Sequence, residues 1–209
     1  MRRAAQLRPD VLLVTGDVSQ DETSATYRLA SEAFARLGCP WFWIPGNHDQ
    51  PELMAEWQPA LDEIDLEHWR ILLLDTRISG QPGGAVGQTQ LQHLAAQLED
   101  DDRPTLIAMH HPPLAIGSVW MDAIGLEDRD AFWQTLAPYP QVRAVLCGHI
   151  HQAFAAWQGL VAVYGCPATS DQFLPGSHEF SVDEAARPGL RVVDLEGDRL
   201  STWIERVEL

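Results

Sequence analysis

Four stretches of this 209-residue chain place metal-ligand side chains directly after apolar runs. Val14-Thr15 leads into Gly16-Asp17, and Ile44-Pro45 into Gly46-Asn47-His48-Asp49. Ala108-Met109 leads into His110-His111-Pro112, and Leu146-Cys147 into Gly148-His149-Ile150-His151. Taken singly, each reads as a polar turn. Gly-His-Ile-His is the strongest, because alternate residues leaving a strand can present two imidazoles to neighbouring ions. In open α/β sheets the crevice beyond the strand C-termini is where ligands bind. Buried strands that all end this way therefore bring carboxylate, amide and imidazole groups to one place. Glycines at 16, 46 and 148 allow the sharp turns this needs.

The elements that must position these groups are legible in outline. Val11–Thr15 is a continuous apolar, β-branched run, as in a strand buried on both faces of a parallel sheet. Trp41–Ile44, Ile71–Leu74, Thr105–Met109 and Val142–Cys147 repeat the pattern. Between them, Asp21 or Thr23 caps a helix that Gly38 closes, and Pro51 to Leu61 reads as helical with Pro51 in the first turn. Leu91, Leu94, Ala95 and Leu98 mark an amphipathic helix, and a short one surrounds Asp130–Leu136. After His151 the texture becomes alternating: Ala153–Trp157, Leu160–Tyr164, Leu190–Leu195 and Leu200–Val207 predict antiparallel hairpins. The expected fold is α/β: a mixed two-sheet sandwich with helices outside, in one domain spanning residues 1–209. Arg2–Leu7 reads as the last turns of a helix stopped by Pro9, so the chain is expected to begin mid-unit, N-terminally incomplete.

Composition narrows the partners. Thirty Asp and Glu face 14 cations, all Arg, for a formal charge of −16. Such a surface repels a phosphate backbone, so a nucleic-acid polymer is disfavoured, while a small anion remains a substrate if bound metal supplies local positive charge. No apolar run approaches the roughly 20 residues of a membrane helix. Cys39, Cys147 and Cys166 are too widely spaced for a Cys-x-x-Cys site and read as buried apolar residues in a reducing, cytoplasmic compartment. Formation of a homodimer is left open.

The four polar stretches together resemble the binuclear, calcineurin-like metallophosphoesterases. Leu13–Asp21, Ile71–Asp75, Gly117–Asp122, Leu146–Gln152 and Pro167–Phe173 narrow the likeness to the bacterial class III cyclic-nucleotide phosphodiesterases. The resemblance implies a four-layer α/β/β/α sandwich of two mixed sheets. It further implies that Asp17 bridges two metals, that Asn47, His110 and His149 complete the second metal's ligands, and that His151 serves the first. Asn47, His48 and His151 would contact substrate. His48, positioned by Asp49, would assist the leaving oxygen while a metal-bridging hydroxide attacks phosphorus, opening 3′,5′-cyclic AMP to 5′-AMP. Mixed N and O ligation suits Mn, Fe, Co or Zn better than Mg or Ca. The rivals are a phosphoesterase acting on another nucleotide or a phospholipid-precursor diester, and a metal-poor inactive scaffold.

One departure bears on the first metal. The family's opening Asp-x-His, which supplies two of its ligands from the end of the first strand, does not occur in these 209 residues. The expectation is an absent first strand, a weakened first-metal site and little two-metal activity. His111 reads as a supporting residue, and Asp75 equally as a ligand-orienting group or a cap. Trp120 and Phe173 read as core packing in preference to a base-stacking wall, and the role of Asp128 stays open.

Overall fold

A computed structural model describes residues 1–208. The chain opens with α1 (Arg2–Leu7), ended by Arg8 in a left-handed turn ahead of Pro9. β1 (Leu12–Val14) follows, then α2 (Ser24–Ala35). Both expected caps act on α2: the Thr23 hydroxyl accepts from the Thr26 N–H, and Asp21 Oδ1 accepts from the Thr23 and Thr26 hydroxyls. β2 (Trp41–Trp43) runs parallel to β1 with Leu13 opposite Phe42.

α3 (Pro51–Ala55) stops well short of the expected Leu61. The residues beyond it clamp β2 instead: Trp43 Nε1 donates to the Gln58 carbonyl, and Gln58 Nε2 donates to that of Trp41. β3 (Glu63–Leu66) was not legible, because only Ile64 of its four residues is buried; it pairs antiparallel with β4 (Trp69–Leu73). Next come α4 (Gln88–Asp100), β5 (Thr105–Met109), α5 (Val119–Asp122) and α6 (Arg129–Leu136). β6 (Val142–Cys147), β7 (Phe154–Gln158), β8 (Val161–Gly165), β9 (Gly189–Glu196) and β10 (Arg199–Arg206) complete the chain.

Six strands form one sheet in the order β3-β4-β5-β6-β8-β7. Its centre, β4-β5-β6-β8, is parallel, and both edges are antiparallel. Every residue of β4 and β5 is buried, as their largely apolar sequences require once both faces are covered; the exceptions, Arg70 and Thr105, are buried together, Arg70 Nε donating to the Thr105 hydroxyl. On one face Leu72, Ile107, Met109, Val145 and Val163 meet Leu91, Leu94 and Leu98 of α4 and Phe132 and Leu136 of α6. On the other, Ile71, Leu73, Leu106, Ala108 and Leu146 pack against Leu13, Phe42, Ile44, Val193 and Leu195 from β1, β2 and the β9-β10 hairpin. Beyond β1 and β2, Tyr27 of α2 and Met54 of α3 close over Trp43. The result is four layers: helices, the mixed six-stranded sheet, a strand layer made of two separate pairs, parallel β1-β2 and antiparallel β9-β10, in place of the expected second mixed sheet, and helices again. β1, β5 and β6 deliver their C-terminal ends to the same edge of the sandwich, which is where the polar motifs begin.

Candidate metal centre

Asp17, Asn47, His110 and His149 come from four separate loops and converge. His110, fully buried at the end of β5, donates from Nδ1 to the Thr15 carbonyl at 2.7 Å. That bond leaves Nε2 of the neutral ring as a bare lone pair. Around it lie Asp17 Oδ2 at 3.2 Å, Asn47 Oδ1 at 3.2 Å and His149 Nδ1 at 3.3 Å. Asn47 Oδ1 is 3.0 Å from His149 Nδ1. Such a gathering of acceptors is satisfied by a proton on His110 or by a cation among them. Ligands of one first-row cation, each roughly 2.0–2.2 Å from it, sit about 3 Å from one another. The donor set therefore fits a transition-metal ion, with the Thr15 carbonyl fixing the His110 tautomer from behind.

The backbone supports this convergence at a cost. Asp17, His149 and His151 all adopt left-handed conformations, with φ of 54°, 63° and 49°. Non-glycine residues held there carry strain, and such strain gathers at functional sites. Two glycines are sterically required. A Cβ on Gly16 (φ 94°) would lie 2.5 Å from His110 Nδ1, and one on Gly46 would lie 2.7 Å from His110 Cε1 and strike Asp17 Oδ1.

The electrostatics follow from burial and from this crowding. Burial works against ionised Asp17, yet the hydrogen bond and charge of His110 and the His48 N–H hold its carboxyl far below the usual range. Burial likewise opposes a charged His110, and Asp17 overcomes it and raises the imidazole above its ordinary value. His149 is pushed well down by burial and by the charge of His110 and His111, and burial lowers His151 as well. Neutral imidazoles are the ligating form, which His149 and His151 already favour, and on His110 a bound cation would take the place of the proton that Asp17 draws to it.

The other anticipated residues take distinct places. His151 donates from Nδ1 to the Asp171 carbonyl at 2.8 Å and stacks on Phe173, ring centroids 4.1 Å apart. Among the described residues it makes no hydrogen bond to the four-residue cluster. His48 is exposed; its N–H donates to Asp17 Oδ1 at 3.0 Å and its Nδ1 lies 3.4 Å from Gln20 Nε2. Asp49 departs from the expectation that it positions His48 through its side chain. Its carboxylate accepts from the Val18, Ser19 and Gly46 N–H groups and from the Tyr27 hydroxyl, so it bolts the Asp17 loop to the Asn47 loop. Burial pushes its pKa up against those donors.

His111 offers a nitrogen within 4.8 Å of His110 and His149, which makes the three histidines a candidate ligand group. Both of its nitrogens are already taken. Nδ1 accepts from the Thr76 hydroxyl at 2.8 Å, Nε2 donates to the Pro82 carbonyl at 3.2 Å, and burial and His110 lower its pKa to about 3. We therefore read His111 as a neutral wedge behind the site. Asp75 makes a turn, accepting from the Arg77 N–H, and Asp128 accepts from the Val86 and Gly87 N–H groups at the start of α4. Sequence reasoning missed Thr15, Tyr27 and Thr76, since a hydroxyl or carbonyl acting from behind leaves no spacing signature.

A polar cluster of this make-up at the strand ends of a two-sheet sandwich defines a metal-dependent phosphoester hydrolase. The chain belongs to the calcineurin-like phosphoesterase family, whose model matches residues 1–153. It is similar to the 3′,5′-cyclic adenosine monophosphate phosphodiesterase CpdA of Pseudomonas aeruginosa, 42% identical over 97% of this chain and 76% of that protein. It also resembles a probable cyclic nucleotide phosphodiesterase of Synechococcus, 41% identical over 97% of this chain and 77% of that one. Among solved structures, a dimetal phosphatase from Danio rerio shares the fold, with a TM-score of 0.66 at 15% identity over 99% of this chain and 84% of that chain.

Proposed function

We propose that this chain is a metal-dependent phosphodiesterase that hydrolyses 3′,5′-cyclic AMP to 5′-AMP. The observation that carries the reading is the gathering of four acceptor atoms 3.0–3.3 Å apart, in a chain 42% identical to a protein named for that reaction. Asp17, Asn47, His110 and His149 would hold one ion, and Asp17 with His151 the other, with Mn, Fe, Co or Zn favoured by the N and O donors. When bound, such a pair supplies Lewis-acid charge and makes water acidic enough to act near neutral pH. One carboxylate among neutral imidazoles and an amide keeps the site positive toward a phosphodiester, inside a molecule of charge −16.

His48 assists the leaving oxygen. Gln20 Nε2 donates to its Nδ1, so Nε2 carries the hydrogen on the exposed side of the ring. As the water oxygen bonds to phosphorus and the P–O3′ bond breaks, the His48 Nε2–H would hydrogen-bond to the departing O3′, which takes up the proton the attacking water gives up, yielding 5′-AMP. The His48 backbone N–H bond to Asp17 Oδ1 would keep the imidazole in register with the metal-binding carboxylate. Of the three cysteines read as buried, only Cys147 is; Cys39 and Cys166 are partly exposed.

A panel of cyclic AMP, cyclic GMP and a chromogenic diester, assayed with added manganese, tests the reading. Turnover of cyclic AMP with 5′-AMP as product is expected. Turnover of the diester alone would assign the site to another phosphodiester. Within these 209 residues the first ion has only Asp17 and His151, which favours a second reading, a chain that holds one ion tightly and turns over poorly. Metal analysis after dialysis decides between them: about one ion per chain supports the second reading, and two support the first.

A further inference from the structure

Beside His151, and outside all three apolar cores, lies a separate aromatic cluster. Phe173 stacks flat on the His151 ring, with planes 3° apart. Trp120 meets Phe173 edge-on at 5.1 Å and Phe180 at 5.2 Å, and Phe180 meets Phe173 at 5.4 Å. A cluster serving only to stabilise the fold would be buried, but Phe180 is 62% exposed. A large exposed aromatic ring braced by others is a ready stacking face. Trp120 Nε1 is shut off from solvent and has no hydrogen-bond partner among the described residues. An indole N–H left unpaired is uncommon, since buried tryptophan usually finds an acceptor.

The cluster is built, not a chance contact of loose side chains. The Ser118 hydroxyl accepts from the Gly176 N–H, and the Val119 N–H donates to the Ser177 carbonyl, which ties α5 to the loop carrying both phenylalanines. Phe173 bridges to Val182, and its N–H donates to the His151 carbonyl. An aromatic wall tied to α5 therefore starts at a candidate metal ligand and ends in solvent.

We propose that Trp120, Phe173 and Phe180 form the wall that receives the substrate's purine base, with Phe180 as its stacking face. This rests on the cyclic-nucleotide reading and names its specificity-determining residues. The phosphodiester would sit at the metal-binding cluster, and the base would extend past His151 onto the wall. The preference would be for a base as such, because stacking discriminates poorly among purines.

Calorimetric titration of the whole chain with 5′-AMP and with ribose 5-phosphate, each with and without manganese, tests the wall without requiring turnover. The wild-type chain should bind 5′-AMP more tightly than ribose 5-phosphate. Phe180→Ala should weaken 5′-AMP about tenfold and narrow the gap between the two ligands, as loss of one stacking contact does. Phe180→Trp should restore it. Equal affinities for the two ligands in the wild type, equal weakening of both in Phe180→Ala, or no measurable 5′-AMP binding would each overturn the wall. Failure of the wild type to hydrolyse cyclic AMP while it retains the AMP preference would instead overturn the substrate reading and leave the wall standing as a nucleotide subsite.

Discussion

Three histidines lie within reach of one another at the end of β5 and β6, and their nitrogens' other commitments separate their jobs. His110 and His149 each turn a nitrogen toward Asn47 Oδ1, whereas His111 spends both of its own on Thr76 and Pro82. Replacing His111 with Asn should lower thermal stability yet leave the bound metal per chain unchanged, by elemental analysis. A loss of metal equal to that in His110→Ala would show that His111 is a ligand. His48 and Asp17 divide in the same way. His48→Ala should keep the metal and reduce turnover by about 10²–10⁴, the range typical of losing a side chain that assists proton transfer to a leaving group, while Asp17→Ala should lose both metal and activity. Metal loss in His48→Ala would refute the assignment of leaving-oxygen assistance to that ring.

At the level of elements, the site depends on how closely two loops approach. The β1 loop carries Asp17 and the β2 loop carries Asn47, and the buried Asp49 carboxylate pins them by accepting from backbone N–H groups of both. Gly46 is caught between this bolt and Asp17 and cannot retreat from either. Gly46→Ala should therefore weaken metal binding about 10–100-fold, as changes behind a ligand commonly do, while far-UV circular dichroism stays that of the wild type. Unchanged metal affinity would mean that the loops have freedom their hydrogen bonds do not suggest.

On the scale of the whole molecule, 30 acidic residues against 14 arginines surround a site meant for an anion. The long-range field opposes substrate entry, and only the bound cations reverse it locally. Added salt screens the distant repulsion more than the short-range contacts at the centre. Raising sodium chloride from about 20 to about 200 mM should thus lower KM for cyclic AMP, by steady-state kinetics. A rise in KM would indicate a local positive field that extends well beyond the ions.

Much of this was legible because its causes are local. Predominantly apolar runs marked β5 and β6 at their observed bounds, since a strand covered on both faces is mostly apolar, with Thr105 and Arg143 as the polar exceptions. Leucines at helical spacing marked α4, and glycine-led polar tetrads marked where strands end. β3 and the early stop of α3 escaped notice, because one depends on a partner strand and the other on a clamp from Gln58 to β2. So did the work of Asp49 and Thr15, which act through backbone groups that every residue possesses and no motif records. The chain's own order of residues determined which side chains could bind a cation and which segments would carry them. Only the packed sandwich decided that Asp17, Asn47, His110 and His149 meet, because a gap of 3 Å between residues up to 102 positions apart is set by layers of core side chains and not by neighbours in the chain.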